Sequence, residues 1–104
     1  MIIAPIRKDK ENITIYEKAI GTPAALEMLA EEATELAQAA LKMARVIRNE
    51  NPTPKTYDDC LNNLIEEYTD IIVTGHDALG IDYDETIRKQ KLDRWLTRLH
   101  NCNL

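Results

Sequence analysis

A long apolar seam over residues 23–49 constrains the fold more than any other feature of the chain. Its members alternate three and four positions apart, as they do along one face of an α-helix. They are Leu26, Leu29, Ala33, Leu36, Ala40, Met43 and Ile47. A second seam of the same period follows, formed by Leu61, Leu64, Ile65, Tyr68, Ile71, Ile72 and Leu79. Two such helices must bury their seams, so the sequence predicts an all-α domain.

Short signals predict the ends of the first helices. Gly21 is expected to end a short helix over about residues 13–20, which follows an extended N-terminal arm. Thr22 then has the character of a cap for the long helix, with Pro23 at its first position, where no amide hydrogen is needed. The segment 51–55 contains two prolines, which cannot continue the helix.

The second half of the chain carries comparable signals. Thr56 predicts the start of a helix that continues to Leu79, and Gly80 predicts its end. Asp82 with Glu85 three residues later has the form of a capping box for a last helix over about residues 83–100.

Length and charge limit the number of domains and the kinds of binding partner. With 104 residues and 11.9 kDa the chain has room for one domain, residues 1–104, whose small core would gain from association with further copies. The net charge of −5 gives no general attraction to nucleic acid or to an anionic membrane. Cys60 and Cys102 lack metal-ligand or redox spacing, and no apolar run is long enough for a signal peptide or a membrane span. We therefore expect free thiols and a cytoplasmic protein.

Acidic pairs occur on the flank of both seams. Glu32 and Glu35 are three residues apart on the long helix, and Glu67 and Asp70 have the same spacing on the next one. Since an α-helix turns by about 100° per residue, each pair lies on one side of its helix. Four carboxylates that converge between antiparallel helices would repel each other unless protons or cations neutralised them. Divalent cations such as Mg²⁺ prefer oxygen ligands, so the spacing predicts a metal site.

The same acids carry a resemblance to a known family. Glu31-Glu32-x-x-Glu35 followed by Glu67-x-x-Asp70 resembles the signature of the MazG-like superfamily of all-α nucleoside triphosphate pyrophosphohydrolases. The likeness covers the two central helices and, more loosely, the last one. We expect a MazG-like bundle of three main helices plus a short N-terminal helix, completed by homo-oligomerisation through the alanine-rich seams as a homodimer or homotetramer.

The resemblance also implies an activity. It predicts Mg²⁺-dependent hydrolysis of a nucleoside triphosphate between the α and β phosphates, with Mn²⁺ as a possible substitute and nucleotide-pool cleansing as the role. The residues implied as metal ligands are Glu32, Glu35, Glu67 and Asp70, and those implied as catalytic acids are Glu31 and Glu35. For Glu31, an outer-shell contact and a solvated surface position are both open.

The last helix supplies candidate phosphate ligands. Lys91, Arg94 and Arg98 share one face of it, and the family tends to place a Lys and an Arg on its last helix to bind phosphate. Cations near a helix C-terminus also complement the helix dipole, which is the alternative interpretation.

Two rival functions fit the same pattern. A phosphoribosyl-ATP pyrophosphatase shares the acidic signature, and a non-catalytic helical interaction protein would carry these acids as solvated surface. Trp95 and Tyr68 are interpreted as core residues, and His76 as a structural or exposed residue. A di-iron carboxylate bundle is excluded because Val73 and Thr97 stand three residues before the two histidines, where that site needs Glu.

Overall fold

The computed structural model describes residues 1–6, 12–50 and 55–102, and these residues contain helices and no strand. The elements are α1 (Ile15–Ile20), α2 (Thr22–Arg48), α3 (Tyr57–Ile71), a π-helix (Ile72–Ala78) that continues α3, and α4 (Glu85–Asn101). The predicted all-α class is confirmed. Part of the predicted N-terminal arm (residues 7–11) and the prolines of the predicted loop (residues 51–54) lie outside the described residues.

Helices α1 and α3 begin with the same reciprocal cap. The Thr14 hydroxyl accepts the N–H of Glu17 at 3.0 Å, and the Glu17 carboxylate accepts the N–H of Thr14 at 3.2 Å. Thr56 and Asp59 repeat this arrangement, with both bonds at 3.2 Å. Each box satisfies two amide donors that a helix start leaves unpaired. The predicted cap at Thr56 is confirmed.

Gly21 joins α1 to α2 without an intervening loop. Its backbone angles, φ 84° and ψ 156°, belong to a region that side-chain-bearing residues rarely adopt. A Cβ at this position would also lie 2.8 Å from the carbonyl oxygen of Ile2. Gly21 therefore ends α1, as predicted, and also begins α2. The prediction that Thr22 is the cap is wrong, because Thr22 is the first helical residue and its N–H donates to Ile2 at 2.9 Å.

A buried carboxylate ties the N-terminal segments together. Glu17 has no exposed surface, and its Oε2 accepts a hydrogen bond from the Thr22 hydroxyl at 3.1 Å. That hydroxyl oxygen in turn accepts the N–H of Ala4 at 2.9 Å. The Thr14 hydroxyl donates to the carbonyl of Ala78 at 2.7 Å, at the end of the π-helix. The network thus fixes α1 to the arm, to α2 and to the π-helix.

Helices α2 and α3 pack along one line of buried and half-buried positions on each helix. These positions include Thr22, Ala25, Leu29, Glu32, Leu36, Ala39, Met43 and Val46 on α2, and Cys60, Leu64, Glu67 and Ile71 on α3. The line differs from the predicted seams, because Leu26, Ile47, Ile65 and Tyr68 are exposed. The two seams predicted from the sequence therefore mix packed and outward-facing positions.

The π-helix was not predicted, since the pattern favoured one α-helix continuing to Leu79. Within it the Thr74 hydroxyl donates to the carbonyl of Asp70 at 2.8 Å. Gly80, with φ 69°, then ends the segment in a left-handed conformation that suits glycine. Its N–H donates to the carbonyl of His76 at 2.9 Å.

Helix α4 stands apart from the other elements. It begins after Asp84, whose side chain accepts the N–H of Ile87 at 3.0 Å, so the predicted cap at Asp82 is wrong. No residue of α4 is buried, and within the described residues the helix packs on none of the other helices. The prediction that Trp95 is a core residue is wrong, because the residue is 67% exposed. Among the described residues, no helix combines the length and apolar character needed to cross a membrane.

Candidate metal centre

Three of the predicted acids meet between α2 and α3. Glu32, Glu35 and Glu67 each offer a carboxylate oxygen, and these oxygens all lie within 4.8 Å of one another. The meeting follows from the helix pairing, because Glu32 and Glu67 occupy the packed lines of α2 and α3. The prediction placed Glu32 on the shoulder of its seam. The structure instead has it half-buried within the line of contact.

Burial and like charge act on two of these carboxyls. The pKa of Glu32 is raised above its usual 4.5, first by burial and then by the negative charges of Glu35 and Asp70. The pKa of Glu67 is also raised, first by burial and then by the negative charge of Glu35. Every group that acts on these two pKa values is a carboxylate. No Lys, Arg or His of the described residues is among the groups that shift these two pKa values.

Two oxygens of the cluster are buried without a partner. The Oε2 atoms of Glu32 and Glu67 are inaccessible to solvent and accept no hydrogen bond in the described structure. A buried carboxylate oxygen without a donor is unfavourable, and a bound cation would supply the missing interaction. Oxygen-only ligands of this kind suit Mg²⁺ or Mn²⁺ rather than softer metals. The residues present therefore fit the predicted metal.

The remaining two acids of the motif take different positions. Asp70 is half-buried and close enough for its charge to raise the pKa of both Glu32 and Glu67, but it is not one of the three whose oxygens meet within 4.8 Å. Glu31 is exposed and has the weakest influence of the three carboxylates acting on the pKa of Glu32. Asp70 thus borders the cluster, while Glu31 lies on its solvent side.

The predicted phosphate ligands are not brought to this cluster within one chain. Lys91, Arg94 and Arg98 are all exposed on α4, which packs on neither α2 nor α3 in the described residues. Their common face follows from helical spacing, as predicted. Residues 80–84 connect the π-helix to α4, and the sequence pattern did not predict that α4 would lie away from α2 and α3.

A cleft that the sequence did not reveal adjoins the acidic cluster. Its volume is about 600 Å³, and it is lined by Leu29, Tyr68, Ile71, Ile72, Gly75, His76, Ile81, Asp82 and Tyr83. Leu29 lies one turn before Glu32, and Tyr68 directly follows Glu67, so the cleft and the cluster share both helices. The interpretation of Tyr68 as a core residue is wrong, because the side chain lines this cleft and is 59% exposed.

His76 is the one imidazole at the cleft. Its Nδ1 lies 3.0 Å from the Asp77 carboxylate, and this hydrogen bond is the main cause that raises the pKa of the imidazole above 6.5. The ring is largely exposed, as predicted, and it makes no contact with the acidic cluster that would give it a role there.

Comparison of the chain with protein-family models, with curated proteins and with solved structures finds no match.

Proposed function

We propose that this protein is a Mg²⁺-dependent nucleoside triphosphate pyrophosphohydrolase that cleaves between the α and β phosphates, with Mn²⁺ as a substitute metal. The observation that carries the proposal is the meeting of Glu32, Glu35 and Glu67 around two buried oxygens without partners. Such a cluster is unfavourable in a metal-free protein, so its presence is best explained by a cation that it holds. The acidic pattern that resembles the MazG-like superfamily supports the same reaction class.

Each acid has a defined part in this proposal. Glu32, Glu35 and Glu67 would hold the metal, with Asp70 at the border as a fourth ligand. A bound divalent cation supplies charge neutralisation for phosphate oxygens and lowers the pKa of a coordinated water. Glu35 is exposed and interacts with both Glu32 and Glu67, so it is proposed as the catalytic acid as well as a metal ligand. Glu31, on the solvent side, would act only through an outer-shell contact.

The exposed apolar surface supports homo-oligomerisation. Four alanines on α2 are exposed at spacings of three and four, namely Ala30, Ala33, Ala37 and Ala40. Small side chains in such a stripe permit close approach of another helix. Ile65 and Tyr68 of α3 and Ile72 of the π-helix are also exposed on one face. We propose that these surfaces are covered by a second copy of the chain in a dimer or tetramer.

The direct test is pyrophosphate release from a panel of canonical and modified nucleoside triphosphates, with phosphoribosyl-ATP included. Release should require Mg²⁺ or Mn²⁺ and should fall at least about tenfold in Glu35→Gln, since loss of a metal contact lowers affinity or activity by such factors. Glu27→Gln is the matched control, because Glu27 is an exposed acid of the same helix outside the cluster. Release confined to phosphoribosyl-ATP would identify the rival enzyme.

The interaction-protein alternative is favoured by one observation, the unpacked apolar side of α4. It predicts a protein that binds no divalent metal and releases no pyrophosphate from any member of the panel. Metal binding by the folded chain therefore separates the two functions before any substrate is known.

A further inference from the structure

Helix α4 is an amphipathic helix that packs on no other helix among the residues that the structure describes. Leu92, Trp95, Leu96 and Leu99 lie on one side of it and are between 43% and 67% exposed. The stripe follows helical spacing, so it is a single apolar face and not a scatter of exposed residues. Exposed apolar faces of this kind on a folded chain mark sites of association.

A second exposed apolar face runs along α3 to the start of the π-helix. Ile65, Tyr68 and Ile72 are exposed at spacings of three and four, and the last two continue into the cleft of about 600 Å³. Leu29 and Ile71 extend the apolar lining of this cleft toward α2. Trp95, at 67% exposed, is the most exposed apolar side chain of α4.

The charges of the two surfaces are complementary. Helix α4 carries five Lys and Arg residues against two acids, which gives a net charge of +3 and leaves −8 for the rest of the chain. By helical spacing, its cations Lys91 and Arg98 lie along one border of the apolar stripe, and Arg94 lies farther round the helix on the same side. The cleft likewise adjoins the acidic cluster, since Tyr68 follows Glu67 directly. An α4 seated in the cleft therefore carries its cations to the border of that cluster.

We propose that α4 of one protomer docks in the α3 cleft of a second copy and delivers Lys91, Arg94 and Arg98 to that copy's acidic cluster. The role of these cations as phosphate ligands rests on the proposed function, whereas the docking does not. A complete site then contains acids from one protomer and cations from its partner. This explains why α4 is directed away from its own α2 and α3, and why no Lys, Arg or His of the described residues shifts the pKa values of the cluster.

Docking is tested first by sedimentation and by the fluorescence of Trp95, the single tryptophan of the chain. The wild type should sediment as a dimer or larger assembly with a shielded indole, and dilution should shift the emission to the red. Leu92→Glu and Tyr68→Glu should each sediment as a smaller species than the wild type, with exposed Trp95. Their matched controls are Gln90→Glu, opposite the stripe, and Tyr57→Glu, an exposed tyrosine outside the cleft, and both should remain associated.

Leu92→Glu leaves the core intact, because α4 contributes no packing contact to the other described helices. Unchanged helical circular dichroism in this variant makes its oligomeric state interpretable. A monomeric wild type, or a Leu92→Glu variant that associates as well as Gln90→Glu, would overturn the docking.

Carbodiimide coupling then decides whether the cations reach the acids of the partner. Isotopically labelled and unlabelled protein are mixed, diluted to separate the protomers, reconcentrated and coupled without metal or nucleotide. Lys91 should form amide links to Glu35 or its neighbours, and about half of these links should join a labelled to an unlabelled peptide, as random pairing in a two-fold dimer requires. Lys89, on another side of α4, should give none.

Lys91 links confined to peptides of one label would show that α4 folds back on its own chain, and absence of Lys91 links would show that the cations do not reach the cluster. Either result overturns the proposal. Neither depends on catalysis, so a protein that docks in this way and releases no pyrophosphate would contradict the proposed function alone.

Discussion

Glu32 on α2 and Glu67 on α3 occupy the packed lines of the two helices, and each has a buried Oε2 without a hydrogen-bond partner. Helix pairs normally fill such positions with apolar side chains. Two carboxyls in their place weaken the metal-free core, so any agent that neutralises them should stabilise the fold. Protons and divalent cations should compete for this effect.

Divalent metal should therefore stabilise the wild type. At a free Mg²⁺ or Mn²⁺ concentration about 100 times the dissociation constant, binding to the folded state alone adds about 2.7 kcal/mol to the free energy of unfolding. Glu67→Gln should lose most of this gain, whereas Glu27→Gln should keep it. Thermal unfolding of all three proteins with and without metal is the measurement. Equal gains in the two variants would show that the cluster is not the binding site.

Acid should have a related effect in the absence of metal. Because the folded-state pKa values of Glu32 and Glu67 are raised above 4.5, the folded protein binds more protons than the unfolded one at pH values between the usual and the raised pKa. The cluster's contribution to stability should thus fall as pH rises through this window and recover as pH falls. The measurement is the free energy of unfolding of the wild type and of the double variant Glu32→Gln/Glu67→Gln across pH 4.5 to 8. The difference between the two proteins at each pH gives the contribution of the cluster. If the wild type instead gained stability relative to the double variant as pH rises, the two carboxyls would not have raised pKa values in the folded protein.

Replacement of Gly21 should destabilise the protein. In Gly21→Ala the new Cβ would lie 2.8 Å from the Ile2 carbonyl, in a backbone conformation that alanine avoids, so we expect a loss of about 1–3 kcal/mol. Gly75→Ala is the control, because its Cβ would meet only Leu29 at an ordinary 3.6 Å. Denaturant unfolding of both variants checks the difference. Equal losses of unfolding free energy in the two variants would show that the backbone conformation of Gly21 is not the cause.

Loss of the Glu17 carboxylate should be severe. Glu17→Ala removes the acceptor for the Thr22 hydroxyl and for the Thr14 amide in a fully buried site, which we expect to lower the free energy of unfolding by about 2–4 kcal/mol. Glu27→Ala, at an exposed position of α2, should change it by no more than about 0.5 kcal/mol. Chemical denaturation measures both. A mild effect of Glu17→Ala would show that the arm and α1 contribute little to the stability of the core.

Local signals predicted the ends of the helices well because each depends on a few neighbouring residues. Thr56 capped α3 as expected, and Gly80 ended the helical segment before the last linker. The assignment of the cap to Thr22 failed because the arm supplies an acceptor at Ile2, which the local sequence does not contain. The residues of the acidic cluster were also predicted, since their spacing is a property of the helix itself.

The packed face of α2 was harder to predict. Apolar residues and alanines surround much of this helix, so Leu26 and Ile47 satisfy the same period as the buried positions and yet lie outside. The side of α2 that faces α3 is decided by the shape of α3, which the sequence of α2 does not contain. The same limit applies to α4, where an apolar stripe predicts that the helix packs but does not identify the surface that receives it.

The isolation of α4 has a consequence for how this protein acquires its structure. A helix of 17 residues that packs on none of the other described helices is only marginally stable in water, and its backbone amides would exchange with solvent almost as fast as those of a peptide. Protection of these amides must then come from association. Ordering of the last helix and encounter between protomers would be one cooperative event, so the concentration of the protein would set how much of its chain is folded.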